Sequence, residues 1–381
     1  MVNKQRLIGL TKKLLSLDSQ NPPGDEKNIG LFVAGYMKRL GLKVDIYEFK
    51  KGRINVIARL KSPGQRHSLI ITPHLDTVPA GKSWESAPLK AKISSGRIYG
   101  LGATDCKGNL ASAMEAVRSI VEEKRRLGFD LIFAATADEE CGSGLGLIPL
   151  LDKGYLKASA ALVLDADDFH IVVAQKGLIH LKVKVQGRRA HGAYPWLGEN
   201  AIDASLKIIS QVKSRMLGLK KNKYLRMPTV NTGTIRGGDK VNIVSDWCEF
   251  ELDFRFLPGT KAEDIIASLK QAVRKHARRA KIEIQSIQQP YAIPESHPLV
   301  TGLKKAMQSF RLNPKVTGSE GATVITFFQH KGIPALATGF GKSGCAHIDN
   351  EYAKIDHLYK GALALEKFLT EFQFKESLWK R

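Results

Sequence analysis

The chain has 381 residues, 43% of them hydrophobic and 25% charged, a composition that excludes a largely disordered chain and leaves room for two domains. Its longest apolar stretches, such as "DLIFAATA" and "SLIIT", are strand-sized and far short of the ~20 residues a membrane span requires. The net charge is +22, but the densest basic runs, "KSRMLGLKKNKYLR" (213–226) and "RKHARRAK" (274–281), hold no recognisable nucleic-acid module. They are expected to form solvated helical faces, with attraction of anionic substrates as the second reading and nucleic acid as the last.

The N-terminal segment reads as an amphipathic helix with Ile8, Leu10, Leu14, Leu15 and Leu17 on its apolar side. It lacks the apolar core and cleavage site of a signal peptide, so a cytoplasmic protein is expected. From about 40 to 170, apolar strand-like runs ("NVIARL", "SLIITPHLD", "DLIFAATADEE", "ALVLDADD") alternate with helical patterns such as "GNLASAMEAVRSIVEEKRRLG". This predicts βαβ units in a mixed, mostly parallel sheet flanked by helices. Near 178 the texture changes to strict alternation in "LIHLKVKVQG", followed by a helix near 199–217, the alternating runs "TVNTGTIRG" and "CEFELDFRF", and a helix near 261–279. From about 290 the α/β texture returns, ending in a helix near 357–373. The expected organisation is therefore a discontinuous α/β domain, 1–177 and 290–381, interrupted by a small α+β domain, 178–289.

The residues with chemistry cluster at predicted strand ends, where α/β sheets build their sites. "ITPHLDTVPA" places His74 and Asp76 after one strand; Glu139 and Glu140 close another in "TADEECGSGLG"; Asp165 ends a third in "LVLDADD", with Asp167 and Asp168 as competitors. Asp105 stands where a helix begins, a position usually filled by an N-cap. The three adjacent acids 138–140 repel one another and require something positive nearby. His347 lies in the glycine-rich "GKSGCAHIDNEY". Two histidines and several carboxylates on one sheet edge are the ligand inventory of a two-zinc hydrolytic site. Cysteines 106, 141 and 345 stand beside these residues and are expected to be small buried fillers; the four cysteines in all make no CxxC pair and suit a reducing compartment.

"PHLDTVP", "GATDCKGNLA", "DEECGSGLG", "GRRAHGAYP" and "GCAHIDNEY" occur in the order and rough spacing of the zinc amidohydrolase family that includes acetylornithine deacetylase, succinyl-diaminopimelate desuccinylase, aminoacylase and carboxypeptidase G. The resemblance runs from "SQNPPGDE" to the last motif. It implies a zinc exopeptidase-like catalytic domain interrupted by a lid that often makes a homodimer contact. It further implies two Zn2+ per subunit, with Co2+ or Mn2+ as substitutes. His74 and Asp165 would bind one ion, Glu140 and His347 the other, and Asp105 would bridge them. Asp76 would orient His74, and Glu139 would be general base toward a metal-bridging water. From the lid, His191 would reach the oxyanion and Asn242 and Arg255 the substrate. Arg255 would read a carboxylate with its planar fork. A cis peptide at Asp105–Cys106 is implied as well.

Two departures bear on substrate. The desuccinylase branch carries an arginine before the final histidine where "GSEGATV" here has Ala322, and "AQKGLIHL" resembles the deacetylase, aminoacylase and carboxypeptidase branches. The leading expectation is a deacylase of N-acyl amino acids, acetylornithine deacetylase-like. A dipeptidase or carboxypeptidase comes next, then a desuccinylase, and last a non-enzymatic binding protein on the same fold.

Overall fold

The computed structural model describes residues 1–216, 222–321 and 323–374, which divide into two compact units. Of these described residues the first unit comprises 1–173, 293–317 and 327–374, and the second those within 174–292 and 318–326. The second unit thus begins before the expected boundary at 178 and claims a segment near 320 that the sequence pattern left in the first. Two side chains explain this. Gln175 accepts hydrogen bonds from the Thr323 amide (3.2 Å) and hydroxyl (2.6 Å), and Lys176 pairs with Glu320 at 2.6 Å. The expected position of the desuccinylase arginine, Ala322, lies outside the described residues.

In the first unit the sheet runs Lys43–Glu48, Ile54–Leu60, Asp130–Ala135, Ser68–Thr72, Ala160–Val163, Ala335–Thr338 and residues 171–173 of the strand Ile171–Gln175. The four strands from Asp130–Ala135 to Ala335–Thr338 are mutually parallel, and the flanking pairings run antiparallel. The parallel strands are short and buried on both faces, which is why "SLIIT" and "AALV" read as continuous apolar runs. Helix Lys107–Glu122 is buried nearly all round, polar residues such as Asn109, Ser112 and Glu115 included, and packs against the terminal helix Ile355–Glu371 on one side and the N-terminal helix Lys4–Leu15 on another. At its start Gly108 leaves room for the preceding loop, since a Cβ there would lie 2.2 Å from the Ala103 carbonyl oxygen. Because the central strands share one direction, the segments leaving 72, 135 and 163 emerge on the same edge of the sheet.

The second unit is an antiparallel sheet in the order Thr229–Gly237, Trp247–Phe256, Gly177–Gln186, Arg279–Gln288, covered by helices Ala201–Met216 and Ala262–His276. Its core alternates along the strands: Ile179, Leu181, Val183 and Val185 meet Phe250, Leu252 and Phe254 under Ile208 and Leu269. The fourth strand follows the expected helix near 261–279 in a segment to which the sequence pattern assigned no element, and its period is broken by a register shift between Ile284 and Ser286. Among the described residues no helix is long and apolar enough to cross a membrane.

Candidate metal centre

His74 follows the strand Ser68–Thr72 and is buried. Its position is fixed by continued pairing past the strand, since the Leu75 amide donates to the Thr136 carbonyl at 2.8 Å. Its Nε2 lies 2.9 Å from Asp105 Oδ1. Its Nδ1 lies 3.0 Å from the Asp76 carbonyl oxygen and 3.4 Å from the Asp76 carboxylate. The backbone of Asp76 is therefore the nearer partner of the imidazole. The Asp76 carboxylate instead accepts the Glu139 and Glu140 amides, each at 3.1 Å, and the Asn21 side-chain amide at 2.9 Å. Burial pushes Asp76 up, but His74 and these donors hold it below the ordinary carboxylate value.

Asp105 does not cap the helix that follows it: the N-cap position is Cys106, with no side-chain cap bond, and the Asp105–Cys106 peptide is cis. Its carboxylate points between two imidazoles, 2.9 Å from His74 Nε2 and 3.2 Å from His347 Nε2. Despite burial, both histidines hold it far below its usual range. His347 also lies 3.1 Å from Glu140 Oε2 and, through Asp105 above all, is raised to about 9.

Ligand atoms of His74, Glu139 and Asp165 come within 4.8 Å of one another, as do those of Asp105, Glu140 and His347. His74, Asp105 and Cys106 form a third such group. The Cys106 sulfur is already engaged by the His74 amide at 3.2 Å. Of the three acids at 165–168 only Asp165 joins a group; Asp168 pairs with Lys342 Nζ at 2.8 Å. Burial, and next the charge of Asp105, pushes Asp165 up to about 6 and Glu140 up to about 7. Burial and Asp165 likewise raise Glu139 well above the ordinary value. No lysine or arginine pairs with Asp105, Glu139, Glu140 or Asp165 among the described residues. Carboxylates and imidazoles at these spacings, with charge to be neutralised, suit a pair of divalent cations.

Asp138, the first acid of the 138–140 run, is held differently. Arg53, 4% exposed, donates to Asp138 Oδ1 at 2.7 Å and binds Glu26 through Nε (2.6 Å) and Nη2 (2.9 Å). Arg53 thus supplies a positive charge to Asp138 alone of the three adjacent acids, and no motif marked it. Cys106 and Cys345 are buried as expected, whereas Cys141 is exposed, on a three-residue helical turn with no buried side chain.

His191, Asn242 and Arg255 all fall in the second unit. His191 pairs across a two-residue ladder with Ile243, and the Gly192 amide donates to the Asn242 carbonyl at 2.8 Å, so His191 and Asn242 are neighbours. Arg255 holds Asp253 with both arms of its fork, at 2.7 and 3.0 Å.

A family model described as peptidase family M20/M25/M40 matches residues 70–371. An acetylornithine deacetylase from Vibrio campbellii is 28% identical over 358 residues, covering 90% of this chain and 91% of that protein. Among solved structures, the aminopeptidase PepT from Bacillus cereus superposes with a TM-score of 0.82 at 24% identity, covering 97% of this chain and 99% of the other. An M20 family metallo-carboxypeptidase from Sulfolobus solfataricus gives 0.78 at 23% identity, with 96% and 99% covered.

Proposed function

The chain belongs to peptidase family M20/M25/M40, and from that premise we propose that it is a cytoplasmic metal-dependent deacylase that hydrolyses the amide bond of N-acyl amino acids. The observation that carries this reading is the pair of groups His74–Glu139–Asp165 and Asp105–Glu140–His347, joined where His74 Nε2 meets Asp105 Oδ1 at 2.9 Å. The similarity to acetylornithine deacetylases over nine-tenths of the chain supports the substrate class. His74 and Asp165 would hold one ion, Glu140 and His347 the other, and Asp105 both; zinc is the ion we assign, with cobalt or manganese as substitutes. Two such ions supply Lewis acidity, lowering the pKa of water toward ~7 and polarising the scissile carbonyl.

The chain's own residues do the rest. Glu139, left as base, takes the proton of the attacking water on its carboxylate and passes it to the leaving nitrogen. Asp76 fixes that base by holding the 139 and 140 amides. In the second unit, which we read as a lid and homodimer contact, His191 stabilises the oxyanion, while Asn242 and Arg255 bind the substrate, Arg255 exchanging Asp253 for the substrate carboxylate.

The test is primary-amine release from N-acetyl and N-succinyl amino acids and dipeptides, with added zinc and again with a chelator. Chelator-sensitive release from N-acetyl amino acids is expected. Release from dipeptides alone would replace the reading with a peptidase, and release from N-succinyl substrates alone with a desuccinylase. No release by a fully metal-loaded protein would overturn it.

A further inference from the structure

Glu351 stands four positions after His347, is 2% exposed, and has no part in the chemistry above. Its carboxylate accepts three backbone amides of the loop that carries Asp105: Gly102 at 2.6 Å on Oε2, and Thr104 at 2.7 Å and Asp105 itself at 3.0 Å on Oε1. Its own carbonyl accepts the Gly100 amide at 3.0 Å, and the next carbonyl, of Tyr352, accepts the Thr104 hydroxyl at 2.8 Å. No cation pairs with Glu351 among the described residues. A buried carboxylate is costly unless hydrogen-bonded, and here those bonds all go to one short loop.

That loop leads into Asp105, whose carboxylate stands between the imidazoles of His74 and His347. The segment carrying Glu351 also carries His347, whose ring meets that carboxylate at 3.2 Å. Glu351 therefore joins the two segments that must stay in register for Asp105 and His347 to share an ion. We propose that Glu351 is a positioning residue that holds the 102–105 backbone so that the Asp105 carboxylate stands between the two ligand groups, and that the joint binding of two metal ions depends on it. The inference rests on the reading of Asp105 as shared ligand.

Glu351→Gln keeps the shape but turns one acceptor into a donor. Oε1 can retain the Thr104 and Asp105 amides only by facing an NH2 group toward the Gly102 amide. The experiment titrates metal-free wild type, Glu351→Gln and Glu351→Asp with Co2+, following stoichiometry by calorimetry and ligand geometry by the visible cobalt spectrum. Substitutions around metal ligands typically weaken metal binding ~10- to 100-fold. A loss of that size is expected for one of the two ions in Glu351→Gln, with an altered spectrum, activity recovered in excess metal, and partial recovery of affinity in Glu351→Asp. Two ions bound by Glu351→Gln with wild-type affinity and spectrum would overturn the proposal, even if its melting temperature fell. Should Glu351→Gln not fold, wild-type affinity and spectrum in Glu351→Asp, whose shorter arm cannot span all three amides, would overturn it equally. Wild type failing to bind two ions would overturn the metal-centre reading itself, a result distinct from either.

Discussion

Asp138 and Glu139 are adjacent in sequence, yet they belong to two carboxylate clusters built on opposite terms. Around Asp138 the chain supplies its own cation: Arg53 spans Asp138 and Glu26, all three buried. Even there burial keeps Glu26 above its ordinary value, with Arg53 opposing. Around Glu139 lie Asp105, Glu140 and Asp165, and the partners the chain offers are His74 and His347. An imidazole serves as a metal ligand only when neutral, so it cannot both balance the charge and bind the ion. The first cluster is complete within the protein; the second is complete only with cations from outside. Asn21 links them, donating to Asp76 at 2.9 Å and to Asp138 at 3.2 Å, so the self-contained cluster is the frame on which the incomplete one is held.

The comparison is broken most directly at the boundary between the two. Glu139→Gln should keep two metals and the wild-type melting temperature while losing about 10²- to 10⁴-fold in kcat, the range for a general base. Metal analysis beside amine-release kinetics checks this, and a drop in metal content would make Glu139 a ligand. Arg53→Ala should show the opposite pattern. Removing one partner of a buried ion pair strands the others, at a cost of about 3–5 kcal/mol, read by urea unfolding of the metal-free protein. Stability unchanged by that substitution would mean that Arg53 is not what neutralises Asp138 and Glu26.

The incomplete cluster was the more legible of the two in the sequence. Most of its members follow buried strands, and a strand end is a local pattern: an apolar run followed by His74, by Glu139 and Glu140, or by Asp165. Arg53 carries no such mark, because it lies 85 positions from Asp138 and only the sheet brings them together. Glu351 was visible within "HIDNEY", but that it bonds to backbone 246 positions away was not. Asp76 shows the same limit: its spacing from His74 suggested orientation of the ring, while its carboxylate serves the 139–140 turn. In the fold, the parallel centre followed from apolar alternation with helices. The strand Arg279–Gln288 was lost because its exposed, charged residues follow a basic helix and its two-residue period slips after Ile284.

The smallest effect separates the clusters by pH. In the metal-free protein burial, then Asp105, holds Glu140 up to about 7 and Asp165 up to about 6, so the folded state keeps protons that the unfolded chain has released. This contribution is fully present below the unfolded carboxylate values, near ~4, and is lost as pH rises through those raised values. His347, raised to about 9, acts with the same sign: full below the ordinary imidazole value and lost as pH rises through that figure. The metal-free protein should therefore lose melting temperature as pH rises from about 4 to about 9. Metal ions replace the protons, so saturating zinc should flatten that slope, and zinc binding should release protons, measurable by calorimetry in buffers of different ionisation enthalpy. A slope unchanged by zinc would place the titrating groups outside the cluster of Asp105, Glu140, Asp165 and His347, and the contrast between a self-neutralised and a metal-dependent cluster would fail.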